Sequence, residues 1–162
     1  MNAAPTLRTK GRAAGPGLFV YGTLMDADVR NLVLGRPLEP AQLQPATLKH
    51  MRRVYIAGRL YPMIVPRRGA TVDGLLLLSL TDEDYVRLDA FEGADYGRER
   101  QAVSPLADDG SEGEPLLAWI YRTRGLGPRP SPRDWRLEEW RKREKPVFLR
   151  AAKAWIAELS GK

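Results

Sequence analysis

Apolar positions along this chain alternate between short continuous runs and stripes of helical spacing. Leu18 to Tyr21 is a short apolar run that reads as a buried strand. Asp26 to Gly35 carries Val29, Leu32 and Val33 on one face, with Asp26 placed to cap a helix and Gly35 to stop it. From Leu43 to Ala57 the chain reads as extended, with Val54, Tyr55 and Ile56 favouring strand. Tyr61 to Pro66 is bracketed by prolines and predicts an edge strand or an irregular crossing. Val72 to Leu80 predicts a central strand. Thr81 opens a helix expected to reach Phe91 and stop near Gly93, with Asp82, Glu83 and Asp84 suited to the positive end of its dipole.

The second half predicts a hairpin, Arg98 to Val103 against Leu116 to Thr123, across a polar loop. Arg124 to Arg133 reads as a loop, with Ser131-Pro132 signalling a helix start. Trp135 to Glu144 and Val147 to Leu159 read as helices parted at Pro146. In the latter, Phe148, Ala151, Ala152, Trp155 and Leu159 form a stripe expected to pack on the domain.

Composition narrows the chemistry. With 162 residues, one domain is the simplest reading, taken over residues 17–160, with residues 1–16 as a disordered leader. That leader lacks the apolar centre of a signal peptide, and no run approaches the ~20 apolar residues of a membrane span; a cytoplasmic protein is expected. There are no cysteines and one histidine, which excludes disulfides, thiolate nucleophiles and Cys-based or two-histidine metal sites. The net charge of +6 raises nucleic-acid binding. Yet the basic residues are scattered, and the densest cluster, Arg141 to Lys145, contains an acid, which favours a solvated surface.

Two segments could carry chemistry. Tyr21-Gly-Thr-Leu24 follows the first strand and opens a turn able to present backbone N–H groups to an anion. Its bland alternative is a tight turn in which Gly22 permits positive φ. Glu92 extends the face of Tyr85 and Leu88 at helical spacing, so its carboxylate continues an apolar stripe. Desolvation there raises a carboxyl pKa toward acid–base use; alternatively Glu92 bonds the helix end or pairs with Arg98 or Arg100. Tyr96 and Arg98 sit close by as supporting residues, Arg98 either clamping a substrate carboxylate or neutralising Glu92. Asp26 and Asp28 read as capping, His50 as a structural histidine, and Trp135, Trp140 and Trp155 as packing groups.

Phe19-Val-Tyr-Gly-Thr-Leu24, Tyr61-Pro62 with Val65-Pro66, Val72-Asp-Gly74 and Leu88-Asp-x-Phe-Glu-Gly-x-x-Tyr-x-Arg98 occur in the order seen in γ-glutamylcyclotransferase-like proteins. The chain resembles this family over Leu18 to Leu159, most of all the branch named for plant avirulence-induced proteins. The tail Asp134-Trp-Arg-Leu-Glu-Glu-Trp140 fits the same pattern. The resemblance implies an α+β fold, a small mixed β-barrel of about six strands with flanking helices and a cavity at one end. It implies substrate binding by Tyr21, Gly22, Thr23 and Leu24, with Glu92 as acid–base residue and neither metal nor cofactor. The implied reaction releases 5-oxoproline and a free amine from a small γ-glutamyl amide, by attack of the substrate's own α-amine. The chain is expected as monomer or homodimer, with a γ-glutamyl-type small molecule as its partner and neither membrane nor nucleic acid. A non-catalytic binding protein on this scaffold, or another acyl or amine transfer, is the alternative.

Overall fold

The computed structural model describes residues 16–161; all but the last residue of the expected leader lies outside them. Six strands follow in chain order: β1 Leu18–Val20, β2 Leu43–Ile56, β3 Pro62–Leu77, β4 Tyr96–Pro105, β5 Leu116–Thr123 and β6 Pro130–Asp134. The helices are α1 Ala27–Leu34, α2 Asp82–Glu92, α3 Leu137–Arg143 and α4 Lys145–Ser160, with short 3-10 turns at Thr23–Met25 and Pro40–Gln42. The strand order β3-β1-β5-β4-β2 closes on itself through a β2–β3 pairing, giving a five-stranded barrel with β6 added to β2. β1 and β5 run parallel and the other pairs antiparallel, so the barrel is mixed, as expected.

Period-two alternation explains how the short first strand serves two layers. Phe19 and Tyr21 point into the barrel with Leu48, Ile64, Val72, Leu76, Val103 and Ile120. Leu18 and Val20 point outward and pack beneath the helices with Val29, Val33, Leu88, Trp135 and Trp140. At Gly74 a Cβ would lie 2.4 Å from the Val20 carbonyl oxygen and 2.6 Å from Phe19, so only glycine lets β3 cross β1 this closely.

Local signals set most boundaries. Asp26 caps α1 by accepting from the N–H groups of Asp28 (3.0 Å) and Val29 (3.3 Å), and Gly35 ends it in the left-handed region at φ 76°. Thr81 and Asp84 form a reciprocal capping box on α2, and Gly93 follows its last residue at φ 73°.

Three expectations change. Tyr61–Pro66 and Val72–Leu80 do not give two strands: one strand, β3, runs from Pro62 to Leu77 through most of both. A bulge opposite His50 interrupts its pairing and throws Arg67 to Ala70 outward, breaking the apolar pattern. The expected loop Arg124–Arg133 gives way at Pro130 to β6, and the helix start moves from Ser131-Pro132 to Leu137. β6 is an edge strand with only two register pairs to β2, which is why its prolines are tolerated. In α4, Ala152 is buried and Phe148, Leu149 and Ile156 pack against the core, but Trp155 is 42% exposed and Ala151 is exposed.

Candidate active site

One end of the barrel opens into a cavity of about 520 Å³. The turn after β1 forms one side of it, with Tyr21, Gly22, Thr23 and Leu24 all on the lining. Glu92, the last residue of α2, lies on the same lining, as does Tyr96 at the start of β4. The two segments singled out in the sequence, some seventy positions apart, therefore meet at one hollow.

The turn is held from behind by two arginines. Arg53 Nη1 donates to the carbonyl oxygens of Tyr21 (3.0 Å) and Asp73 (2.9 Å), its Nε donates to the Trp135 carbonyl (3.0 Å), and its guanidinium lies over the Trp135 ring. Buried Arg30 donates through Nη1 to the carbonyls of Leu24 (3.2 Å) and Met25 (3.1 Å). With those carbonyls engaged, the turn closes through Met25 N–H to Gly22 (2.9 Å) and Asp26 N–H to Thr23 (3.0 Å). The N–H groups of Thr23 and Leu24, the first in the 3-10 turn, are not used by it. Gly22 has φ −126°, so positive φ is not its reason for being there. A Cβ on it would lie 2.9 Å from Pro62 Cγ, and close approach of the turn to β3 demands glycine.

Glu92 differs from Glu83, Asp84 and Asp89 on the same helix. Asp84 caps the helix and pairs with Arg36, Glu83 pairs with Arg87, and Asp89 pairs with Arg98. The Glu92 carboxylate makes no hydrogen bond or ion pair among the described residues. Burial, with the Asp89 charge one helical turn away adding to it, pushes its pKa from 4.5 up to about 8. At neutral pH it is mostly protonated and able to exchange its proton.

Arg98 does not neutralise Glu92, nor is it on the cavity lining. It forks onto Asp89, Nε to Oδ1 at 2.8 Å and Nη2 to Oδ2 at 3.1 Å, with its guanidinium over the rings of Tyr85 and Trp119. Asp89 also accepts from the Tyr121 hydroxyl at 2.6 Å. Arg98 is thereby a support for the wall rather than a substrate clamp. Arg100, the other suggested partner of Glu92, lies over Trp119 instead.

Three tyrosine hydroxyls beside Glu92 are already committed as donors. Tyr21 donates to the Tyr121 carbonyl (2.6 Å), Tyr96 to the Pro62 carbonyl (2.9 Å) and Tyr121 to Asp89. Burial raises all three phenol pKa values well above the ordinary range, and the Glu92 charge raises them further, so none is an acid near neutral pH. Their oxygens can still accept a proton donor from a ligand.

Tyr61, Phe91, Phe148 and Trp155, together with Tyr121, were not foreseen as lining residues. Asp89 and Glu92, at i and i+3 on α2, could have been read as one face; the contribution of β5 and α4 depends on tertiary register that no local pattern reveals. Arg59 is the one arginine on the lining among the described residues, whereas Arg52, Arg67 and Arg68 flank a separate depression beside Asp134.

The chain is similar to known proteins over most of its length. The sequence model described as gamma-glutamyl cyclotransferase, AIG2-like matches residues 18–142. AIG2-like protein D of Arabidopsis thaliana is 36% identical over 143 residues, 88% of this chain and 90% of that protein. AIG2-like protein A of the same plant is 34% identical over 84% of this chain and 78% of its own length. A further Arabidopsis thaliana protein, known from its solution structure, superposes with a TM-score of 0.58 at 33% identity, covering 91% of this chain and 93% of that one. The chain belongs to the gamma-glutamyl cyclotransferase, AIG2-like family.

Proposed function

We propose that the chain cleaves a small γ-glutamyl amide to 5-oxoproline and a free amine, with Glu92 carrying the proton. The observation behind this reading is an unpaired, partly buried carboxylate of pKa about 8 sharing a cavity with the Gly22–Leu24 turn. No external nucleophile is needed. The α-ammonium of the substrate passes a proton to the Glu92 carboxylate, and the freed lone pair bonds to the δ-carbonyl carbon. The amide C–N bond then breaks as Glu92 returns a proton to the departing nitrogen, and the ring nitrogen sheds its remaining extra proton to water. A carboxyl with a pKa near the working pH suits both halves of that transfer.

The unused N–H groups of Thr23 and Leu24 suit an anionic oxygen, either the substrate's α-carboxylate or the oxyanion on the attacked carbon. Holding amine and carbonyl in contact supplies much of the acceleration, up to ~7–11 kcal/mol in well-oriented intramolecular reactions. The test is 5-oxoproline release from a panel of γ-glutamyl amides by the native chain and by Glu92→Gln. Release by the native chain, lowered ~10²–10⁴-fold in the folded variant, supports the reading. Absence of release from every amide, with binding retained, would leave a ligand-binding protein on this scaffold.

A further inference from the structure

Resting on the cyclotransferase reading, we infer that the leaving amine is large and apolar, as in γ-glutamyl-phenylalanine, and that α4 selects it. A γ-glutamyl acyl group has nine non-hydrogen atoms. At the volume share of a liquid water, about 30 Å³ each, they fill about 270 Å³. That is about half of the 520 Å³ available, so a comparable space is left for the leaving group.

The remaining space has a definite chemistry. Tyr61, Phe91 and Phe148 form a contiguous aromatic wall, with Phe148 packed edge-on against both others at centroid distances of 6.4 and 6.5 Å. Phe91 and Glu92 line the same cavity, so this wall shares it with the group that protonates the departing nitrogen. Ala151, Ala152 and Trp155 extend it along α4. Trp155 is 42% exposed although it lines the cavity, an apolar surface left for a ligand to cover. Small side chains at Ala151 and Ala152 keep the space open. α4 begins at Lys145, beyond residue 142 where the family match ends, so the part of the wall from Phe148 to Trp155 is supplied by a segment outside that match, whereas Tyr61 and Phe91 lie within it. A small leaving group would leave the wall wet, and a charged one would give up hydration on entering it.

Two measurements separate this inference from the reading beneath it. Calorimetry with Glu92→Gln gives the affinities of γ-glutamyl-phenylalanine, γ-glutamyl-alanine and γ-glutamyl-lysine without turnover, and 5-oxoproline release gives kcat/KM on the native chain. The phenylalanine compound is expected to bind at least about tenfold more tightly than either other, and to lead in kcat/KM. Ala151→Trp, which fills the space without making a cavity, and Trp155→Ala, at an exposed position, should each shrink that preference several-fold. Equal affinities, a preference for the lysine compound, or a preference that neither substitution moves would overturn the inference. Absence of turnover with the affinity order intact would count against the cyclotransferase reading and leave the apolar subsite standing.

Discussion

Replacing Glu92 by glutamine removes a charge that the fold encloses at a cost, so the variant should lose turnover and gain stability together. A carboxyl whose pKa stands near 8 rather than 4.5 resists ionisation in the folded chain. Each pH unit between the two values is worth about 1.4 kcal/mol. Below pH 4.5 the group is protonated in both folded and unfolded chains, and native and variant should be equally stable. As pH rises from 4.5 to about 8, the unfolded chain releases the proton and the folded chain does not, so the native protein loses stability that glutamine keeps. The difference grows to about 3 kcal/mol at pH 7 and levels off at about 5 kcal/mol above pH 9. For a chain of this size, 3 kcal/mol corresponds to a rise in Tm of roughly 6–12 °C. Urea unfolding of both proteins at pH 4, 7 and 9, extrapolated to water, measures it. Equal stability of the two at pH 9 would mean that the folded chain ionises Glu92 without penalty, and the desolvation argument would fail.

Other residues around the cavity give shorter tests. Asp89→Asn removes the charge that adds to the effect of burial on Glu92; the acid limb of kcat/KM should move below pH 8 yet stay above the ordinary carboxyl range, and an unmoved limb would refute the coupling. Gly22→Ala places a methyl 2.9 Å from Pro62 and should cost about 1–3 kcal/mol while weakening substrate binding; full stability and unchanged KM would contradict the close-packing account. Arg53→Ala strands the carbonyls of Tyr21, Asp73 and Trp135 and should destabilise by about 3 kcal/mol in urea. Arg53→Lys keeps the charge but not the fork, so it should raise KM more than it lowers kcat, and the reverse split would place Arg53 in the chemistry instead of behind the turn.

Much of this protein is legible from its residues, for reasons that differ by element. α1 and α2 announce themselves because their signals are local: Asp26 and Thr81 cap, Gly35 and Gly93 stop, and one apolar stripe faces the core. The face of α2 also carries Glu92 to the cavity, so its place on the lining follows from helical spacing. β3 misleads because Arg67, Arg68 and Gly69 occupy a bulge, which resembles a loop until the partner strand is known. β6 misleads more, since proline-rich edge strands are held by their neighbour and not by propensity. Arg98 is placed beside Glu92 by chain proximity, yet it binds Asp89, because a bidentate fork with the guanidinium also lying over the Tyr85 and Trp119 rings gives it more than Glu92 offers. Tyr121 and the wall from Phe148 to Trp155 reach the cavity only through strand pairing and helix packing across the fold.

The state of Glu92 is the point on which the chemistry turns, and it can be observed without any substrate. A carbon-13 titration of the glutamate side-chain carboxyls, with Glu92→Gln identifying the resonance, reads its protonation directly. A midpoint near pH 8 is the predicted result; a midpoint between 4 and 5 would mean a solvated carboxylate with no special capacity to carry a proton.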